Sequence, residues 1–292
     1  MWSRGESAAS AKTALVVCGP TASGKSGLAD ALAGELTGRR GRKVPTLVVD
    51  SMQVYREIPI VTNQARGRPA EMVGIVPVTE EWNVAAHRAR AQEIVAPEDA
   101  FVLDAGTGMY LNALLLDFPL APKVSPELRL RAEEEAAHDP NPRRAARERE
   151  LELAGAGARG SVWDGNVKYE TSIVYLRPER TELDAAIAER SRRIARDGLD
   201  EAEALREMLA RGLEINPSVM DSVGVRELSQ HLAGEISLDE AEDLMATRTR
   251  RLARRQMRWF DKLARTLEGR ARIAVPEDRQ SALHSMHDII GA

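Results

Sequence analysis

The sequence contains little cysteine, the residue that forms disulfides, and little histidine, which together with cysteine forms many metal sites. One cysteine among 292 residues excludes an internal disulfide, and Cys18 lies in an apolar segment where we interpret it as a small buried residue. The five histidines are scattered, and with one cysteine they give no spacing typical of a metal site. We therefore expect neither a disulfide-stapled protein nor a His/Cys metal centre.

Long apolar runs are also absent. No segment approaches the roughly 18 apolar residues of a membrane span, and residues 1–7 lack the apolar core of an export signal. With 43% hydrophobic and 29% charged residues, the composition is that of an ordinary folded protein, and we expect it in the cytoplasm without a membrane partner. The formal net charge of −4 argues against a uniformly basic nucleic-acid binder, although not against a local basic surface.

The most informative segment is a glycine-containing loop. Residues Gly19–Ser26 read Gly-Pro-Thr-Ala-Ser-Gly-Lys-Ser, a full G-x-x-x-x-G-K-[ST] match, and they follow the apolar run Ala14–Cys18. Such a loop lets backbone N–H groups converge on phosphate oxygens, and the helix that follows adds the positive end of its dipole. Lys25 would neutralise a terminal phosphate, and Ser26 would hold Mg²⁺. The loop predicts that a di- or triphosphate binds, but not whether it is transferred, hydrolysed or discarded.

A second motif supplies a carboxylate. Residues Asp50–Tyr55 read Asp-Ser-Met-Gln-Val-Tyr and follow another apolar run, Thr46–Val49. Ligands of open parallel sheets bind at the carboxyl ends of the strands. If both apolar runs are strands of one sheet, an acid or base lies beside the bound polyphosphate.

Strand-like and helix-like stretches alternate through the first 118 residues. This alternation predicts an α/β fold of the P-loop NTPase-like type, with a parallel sheet and helices on both faces. The predicted strands are 14–17, 46–49, 100–103 and 171–176, and the predicted crossover helices are 27–36 and 84–94. A basic turn is expected at 38–43. The composition changes after residue 120, so we predict the first part of the core at 1–120, a small helical insertion at 121–170, and a return to the core with C-terminal helices at 171–292.

The C-terminal region is predicted to be mostly helical, at 181–197, 199–211, 223–233 and 238–266. The last helix carries a run of arginines with almost no acid before Asp261: Arg248, Arg250, Arg251, Arg254, Arg255 and Arg258. Such a run is often only a solvated face, but its density favours a surface that contacts phosphates.

Four segments together carry a resemblance: Gly19–Ser26, Asp50–Tyr55, Gly106–Tyr110 (Gly-Thr-Gly-Met-Tyr) and Arg254–Phe260 (Arg-Arg-Gln-Met-Arg-Trp-Phe). They resemble the tRNA dimethylallyltransferases, also called tRNA isopentenyltransferases. Supporting matches are Gly224–Glu227, Leu232–Ile236 and Ile187–Arg190, and all occur in family order between about residues 14 and 275.

The resemblance implies a P-loop enzyme that binds dimethylallyl diphosphate with Mg²⁺ rather than ATP, and that prenylates the N6 amine of an adenine next to the tRNA anticodon. By matching positions, Asp50 would take the amine proton, Thr107 would contact the flipped-out adenosine, and Arg190 would grip the pyrophosphate. The diphosphate-binding residues would be Gly19, Thr21, Ala22, Ser23, Gly24, Lys25 and Ser26, and the acceptor-binding residues Ser51, Met52, Gln53, Arg129 and Arg226. We expect a monomer, with Trp259 and Phe260 in the core.

Several acceptor-side segments depart from the family pattern. Gln64, within Val61–Arg66, stands where the family has a lysine, and Asp104 adds a carboxylate before Gly-Thr-Gly. The family's Asn-Asp-Pro…Arg-Ala-Leu-Glu element has no counterpart, and Trp163–Tyr169 stands in its place. A free adenine nucleotide or another small amine is therefore an alternative acceptor. Two other classes are a P-loop kinase or NTPase, with Asp104 as its Mg²⁺ carboxylate, and a nucleotide- or tRNA-binding protein without activity. The C-terminal helix favours tRNA.

Overall fold

The computed structural model describes residues 12–120, 124–140, 142–155, 161–276, 281–285 and 288. Its strands are β1 (Thr13–Cys18), β2 (Thr46–Val49), β3 (Ala100–Ala105), β4 (Leu116–Asp117), β5 (Asn166–Val167), β6 (Glu170–Tyr175) and β7 (Arg272–Ala274). Its helices are α1 (Lys25–Arg40), α2 (Val84–Val95), α3 (Gly108–Leu115), α4 (Pro126–Ala136), α5 (Pro142–Leu153), α6 (Arg180–Asp197), α7 (Leu199–Ala210), α8 (Pro217–Met220), α9 (Val225–Leu232) and α10 (Leu238–Thr266).

A five-stranded sheet in the order β2-β3-β1-β6-β7 forms the centre of the larger unit. All neighbouring strands run parallel, and β1 lies between β3 and β6. Because parallel strands end at one edge, the chain that leaves β1, β2 and β3 at Gly19, Asp50 and Gly106 converges there. The predicted α/β fold with a parallel sheet is confirmed.

Side chains alternate between the two faces of the sheet, and this alternation determines which residues of β1 and β3 face α1. Val17 of β1, Val102 of β3 and Leu28 of α1 belong to one buried cluster. Residues two apart on a strand share a face. Asp104, two residues after Val102 and in register with Val17, therefore lies on the α1 side of the sheet. The strand pattern thus places a carboxylate beneath the start of α1.

Helix α10 is held to the core along its length. Its first turn is fixed by a capping box in which Ser237 and Glu240 exchange hydrogen bonds. Met245 joins a buried cluster, and the Phe260 ring packs against Tyr175 of β6 with ring centroids 5.8 Å apart. The helix that carries the arginine run is therefore well anchored.

Residues Leu116–Asn166 form a second compact unit, which is mainly helical. The Ser125 hydroxyl caps α4 by accepting from the Leu128 N–H at 3.4 Å. Buried alanines, among them Ala132 and Ala146, allow α4 and α5 to pack closely. This unit overlaps the predicted insertion 121–170.

The four predicted C-terminal helices agree closely with α6, α7, α9 and α10, whereas the short elements α3, α8, β4 and β5 were not predicted. The turn predicted at 38–43 begins later, because α1 continues to Arg40 and ends at the left-handed Gly41. The edge strand β7 was not predicted. Residues 1–11, on which the expectation about an export signal rests, lie outside the described residues. Within the described ranges, no helix is both long and apolar enough to cross a membrane.

Candidate active site

The loop after β1 has the shape of an anion-binding loop. The Ser23 N–H donates to the Pro20 carbonyl at 3.3 Å, and Ala22 (φ 65°) and Gly24 (φ 80°) both adopt left-handed backbone conformations. Such conformations turn successive N–H groups toward one side, where they can bind an anion. Ala22 is the strained position, because residues with a Cβ seldom adopt this conformation.

The start of the loop leaves no room for a side chain. A Cβ added to Gly19 would lie 2.7 Å from the Leu176 carbonyl oxygen. The loop ends where α1 begins, at Lys25, so the positive end of the helix dipole faces the predicted phosphate position. The Ser26 hydroxyl is in the first turn of the same helix.

Lys25 is buried inside the loop. Its ammonium donates to the Pro20 carbonyl oxygen at 3.4 Å. Burial lowers the pKa of Lys25, and the negative charges of Asp104 and Asp50 act against that shift. An ammonium shielded from water interacts more strongly with a developing negative charge than an exposed one does.

Arg190 of α6 reaches the same loop. Its guanidinium donates to Thr21 Oγ1 at 2.9 Å. Burial lowers the pKa of Arg190 to about 10, although Asp50 opposes the shift, so the group stays charged at neutral pH. The Arg/Glu-rich sequence of α6 alone indicates a solvated face, whereas the fold turns Arg190 inward.

Asp50 and Lys25 meet at Gly106. A Cβ added to Gly106 would lie 2.8 Å from Asp50 Oδ2, 3.3 Å from Lys25 Cε and 3.5 Å from Lys25 Nζ. The Gly106 N–H donates to the Val49 carbonyl at 3.1 Å, which fixes this backbone against the end of β2. A carboxylate that can take a proton and an ammonium that can bind phosphate therefore border one small space.

The second oxygen of Asp50 fixes its orientation. Asp50 Oδ1 accepts from the N–H groups of Met52 and Gln53 at 2.8 and 3.2 Å. The neighbouring Ser51 N–H donates to Thr107 Oγ1 at 3.1 Å. Thr107 thus uses a lone pair on the backbone, and its hydroxyl proton can be donated to a substrate atom.

A buried ion triad lies beneath the phosphate loop. Arg66 donates to Asp104 Oδ2 at 2.5 Å and to Asp30 Oδ1 at 2.6 Å, and its side chain is 5% exposed. Asp104 is 1% exposed, and its Oδ1 has no hydrogen-bond partner among the described residues. Burial acts to lower the pKa of Arg66, but the two carboxylates outweigh it and raise the pKa. The triad ties the loop after β2 to α1 and to β3.

The triad accounts for two of the departures seen in the sequence. Gln64 donates to the Tyr55 carbonyl at 2.6 Å and to Thr62 Oγ1 at 2.9 Å, so it holds its own loop. Arg66, two residues later, carries the cation inward and binds the extra carboxylate, Asp104. Sequence reasoning missed Arg66, although a carboxylate at the end of a predicted buried strand was a signal that a cation must be near.

An aromatic group surrounds a buried histidine in the same unit. The Trp82 Nε1–H donates to His87 Nδ1 at 3.2 Å, and the rings of His87 and Tyr110 lie 4.8 Å apart. Burial lowers the pKa of His87 to about 4, so its ring is neutral. Burial, together with the charges of Tyr55 and Asp50, raises the pKa of Tyr110.

Among the predicted acceptor-side residues, Met52 and Gln53 contact Asp50 through their backbone N–H groups, and the described side-chain contacts of Arg129 and Arg226 are ion pairs within their own surroundings. Gln53 is buried, and its Oε1 has no partner among the described residues. Arg129 pairs with Glu150 inside the helical unit at 3.8 Å. Arg226 pairs with Asp221 at 3.1 Å, and no hydrogen bond among the described residues joins it to Asp50 or the phosphate loop. The acceptor roles of these residues stay predictions.

The six arginines of α10 form two groups, one paired with acids and one exposed, so the predicted basic surface contains fewer arginines than the sequence indicates. Arg248 binds Glu227 at 2.5 Å, and Arg250 pairs with Asp184 at 3.6 Å, so acids from other elements occupy this part of the run. The exposed members, at helical spacing on one face, are Arg251, Arg254, Arg255 and Arg258. We call these four the arginine stripe.

The opposite face of α10 is turned to the core. Phe260 is buried, and a Cβ added to Gly108 would lie 2.1 Å from Trp259 Cδ1, so the indole covers the start of α3. The prediction that Phe260 packs in the core is confirmed, whereas Trp259 is only half-buried, against Gly108. Gln256, which sequence reasoning did not assign a role, binds the phosphate loop and Gly106 from this face.

Comparison with known proteins identifies similar sequences over most of the chain. A sequence model described as IPP transferase matches residues 53–263. A tRNA dimethylallyltransferase from Rubrobacter xylanophilus is 63% identical over 285 residues, covering 95% of this chain and 98% of that protein. One from Rickettsia bellii is 30% identical over 288 residues, covering 85% and 88%.

Solved structures with similar folds are also known. A tRNA isopentenylpyrophosphate transferase from Bacillus halodurans matches with a TM-score of 0.68 and 24% identity, covering 96% of this chain and 95% of that chain. A eukaryotic dimethylallyltransferase acting on tRNA matches with a TM-score of 0.73 and 23% identity, covering 96% and 80%. At these identities the likeness bears on the fold alone, and it agrees with the parallel α/β architecture.

Proposed function

The chain belongs to the IPP transferase family, and we propose that it transfers a dimethylallyl group from dimethylallyl diphosphate to the N6 amine of an adenine in tRNA, next to the anticodon. The observation that carries this proposal is the approach of Asp50 and Lys25 to Gly106. Prenyl transfer to an amine needs a phosphate-binding cation and a proton acceptor within one small space, and this geometry supplies both.

The cations of the phosphate loop would stabilise the leaving group. As the C–O bond of an allylic diphosphate breaks, negative charge grows on the pyrophosphate, and preorganised positive charge stabilises it most. Lys25 is buried and Arg190 is half-buried, and hydrogen bonds to the phosphate loop hold both side chains in place before substrate arrives. The N-terminus of α1 adds backbone N–H groups to the same site.

Asp50 would act as the general base. Its Oδ1 is held by two backbone N–H groups, which leaves Oδ2, next to Gly106, to accept the proton released as the new C–N bond forms. Thr107 would donate its hydroxyl proton to the adenine ring and so orient the amine. An adenine in an RNA loop must leave its stack to reach such a site.

Mg²⁺ fits the donors present. Ser26 supplies a hard oxygen ligand at the start of α1, and no group of three or more His, Cys, Asp or Glu among the described residues could hold a metal alone. Mg²⁺ commonly takes its remaining ligands from substrate phosphates and water. When bound, it would neutralise part of the diphosphate charge.

The arginine stripe would bind the RNA backbone. Arginine donates two parallel hydrogen bonds to phosphate, and four arginines at helical spacing form a continuous cationic row on an otherwise acidic protein. Because binding would release counterions, the affinity for tRNA should fall steeply with salt.

A salt titration tests this surface. Gel shifts of bulk tRNA between about 50 and 300 mM salt should give a slope that decreases by about one unit or less for each Arg→Ala change in the stripe. Arg206→Ala, an exposed arginine on α7, is the control and should leave the slope unchanged. No shift of tRNA at any salt would reject the stripe as an RNA surface.

A labelling experiment tests the reaction itself. The protein is incubated with radiolabelled dimethylallyl diphosphate, Mg²⁺ and either bulk tRNA or AMP, ADP and ATP, and the expected result is label in tRNA. Label only in a free nucleotide would replace tRNA by a small acceptor. The kinase alternative is not retained, because Asp104, the carboxylate that it would use, is bound to Arg66. Tighter binding of ATP than of dimethylallyl diphosphate, with ATP turnover, would restore it.

A further inference from the structure

One side chain of α10 bridges two loops of the site. Gln256 Oε1 accepts from the Thr21 N–H of the phosphate loop at 2.8 Å, and Gln256 Nε2 donates to the Gly106 carbonyl at 2.8 Å. These loops follow β1 and β3, and in sequence they lie 235 and 150 residues away from Gln256. Both ends of one amide are therefore used, each on a different loop.

The two loops contain the groups that must act together. Thr21 receives the Arg190 guanidinium on its hydroxyl and the Gln256 oxygen on its N–H. Asp50 Oδ2 and the end of Lys25 lie beside Gly106, at 2.8 Å and 3.3–3.5 Å from the place where a Cβ on this residue would stand. A shift of the Gly106 backbone would therefore change the space that the Asp50 carboxylate and the Lys25 ammonium border.

We propose that Gln256 is a positioning residue that sets the spacing between the phosphate loop and Gly106, and with it the placement of Asp50 relative to the diphosphate. The inference rests on the proposed function for the meaning of that spacing. Only a side chain with a donor and an acceptor at one end can make both bonds, and glutamine is long enough to reach from the helix backbone.

The frame that holds Gln256 is rigid. Trp259, one turn further along α10, covers Gly108, and its Nε1–H donates to Asn112 Oδ1 at 3.1 Å. On the other side, Tyr175 Oη binds the Met257 carbonyl at 3.3 Å and Asp261 Oδ1 at 3.0 Å. Because α10 is fixed, the Gln256 amide can hold the two loops at a constant distance from each other. A mobile helix could not do so.

The test compares Gln256→Met with Gln256→Asn and with a control. Methionine keeps the length and removes both hydrogen bonds, while asparagine keeps the amide but is one methylene shorter. Arg250→Met is the control, because it removes the ion pair of α10 with Asp184 of α6 (3.6 Å) and no described hydrogen bond joins Arg250 to either loop. For each protein we would measure kcat and KM for both substrates, the melting temperature, and hydrogen exchange of the peptide that contains Thr21.

In Gln256→Met we expect kcat to fall by roughly 10–100-fold, in the range that a misplacement of about 1 Å causes. We expect a much smaller change in the affinity for pyrophosphate, since Lys25, Arg190 and α1 remain. Exchange at the phosphate loop should become faster, because the Thr21 N–H loses its acceptor. Gln256→Asn should resemble the methionine variant, since its amide cannot reach both loops.

Equal kcat and equal exchange in Gln256→Met and Arg250→Met would overturn the inference and leave Gln256 a contributor to stability only. If the wild-type protein labels no tRNA, the proposed function fails, and the exchange data alone decide whether Gln256 holds the loops.

Discussion

Removal of the Arg66 guanidinium should destabilise the protein strongly. Arg66→Met keeps most of the side-chain volume but leaves Asp104 and Asp30 as buried carboxylates without their cation. Breaking a buried ion pair from one side costs about 3–5 kcal/mol, because an uncompensated charge stays in a low-dielectric site. At about 2–4 °C per kcal/mol for a chain of this size class, the melting temperature should fall by roughly 6–20 °C.

The control is an arginine of similar length in an exposed pair. Arg39 binds Glu35 on the surface of α1 at 2.8 Å with 46% of its side chain exposed, so Arg39→Met should cost about 1 kcal/mol or less. Thermal and urea unfolding of both variants give the comparison. A loss below about 1 kcal/mol for Arg66→Met would refute the buried-charge reasoning.

A triple variant separates charge from packing. If the loss in Arg66→Met comes from the two stranded carboxylates, then adding Asp104→Val and Asp30→Leu should restore at least half of it, since apolar replacements of whole buried ion clusters are often neutral. A triple variant as unstable as Arg66→Met would show that the hydrogen bonds of the triad, including Gly67 N–H to Asp30 Oδ2 at 3.1 Å, matter more than its charge.

Three further changes test the site. Asp50→Asn keeps an oxygen for the Met52 and Gln53 N–H groups but removes the base. Turnover should therefore fall by roughly 10²–10⁴-fold, while the affinity for diphosphate changes little. Loss of Mg²⁺-dependent diphosphate binding would instead show that Asp50 organises the metal. Gly106→Ala puts a Cβ 2.8 Å from Asp50 Oδ2, at a backbone conformation that alanine accepts. The carboxylate must shift to make room, so kcat should fall by about 10²-fold. A kcat near wild type would contradict the crowding at this position. His87 has a pKa of about 4 when folded, below its value of about 6.5 when unfolded, so the unfolded state takes up the proton first and stability should fall by up to about 3 kcal/mol as the pH drops from 6.5 to 4. His87→Phe should flatten this part of the stability curve, and an equally steep curve would assign the effect to other groups.

The local elements were predictable where a short-range signal defines them. The strands before Gly19 and Asp50 are apolar and β-branched, and the phosphate loop is defined by its own glycines, lysine and serine. The left-handed Gly24 and Gly41 bound α1, although the helix was predicted to end at residue 36 and continues to Arg40. The strand β7 has only three residues and no strong pattern, and it exists because β6 offers an open edge.

By itself, the sequence determined the parallel α/β class, the phosphate loop, the carboxylate after the second strand and the position of the arginine run, because each is encoded within a few neighbouring residues. Only the tertiary structure decided which distant side chains complete the site. Arg66 and Gln256 come from different segments, and nothing local distinguishes them from surface residues. Arg190 was assigned to the diphosphate only by the family resemblance, and its own segment indicates a solvated face. The sheet order and the packing of α6 and α10 bring all three side chains to one edge of the sheet. Buried charges there need partners, and the partners are close in three dimensions although distant in sequence.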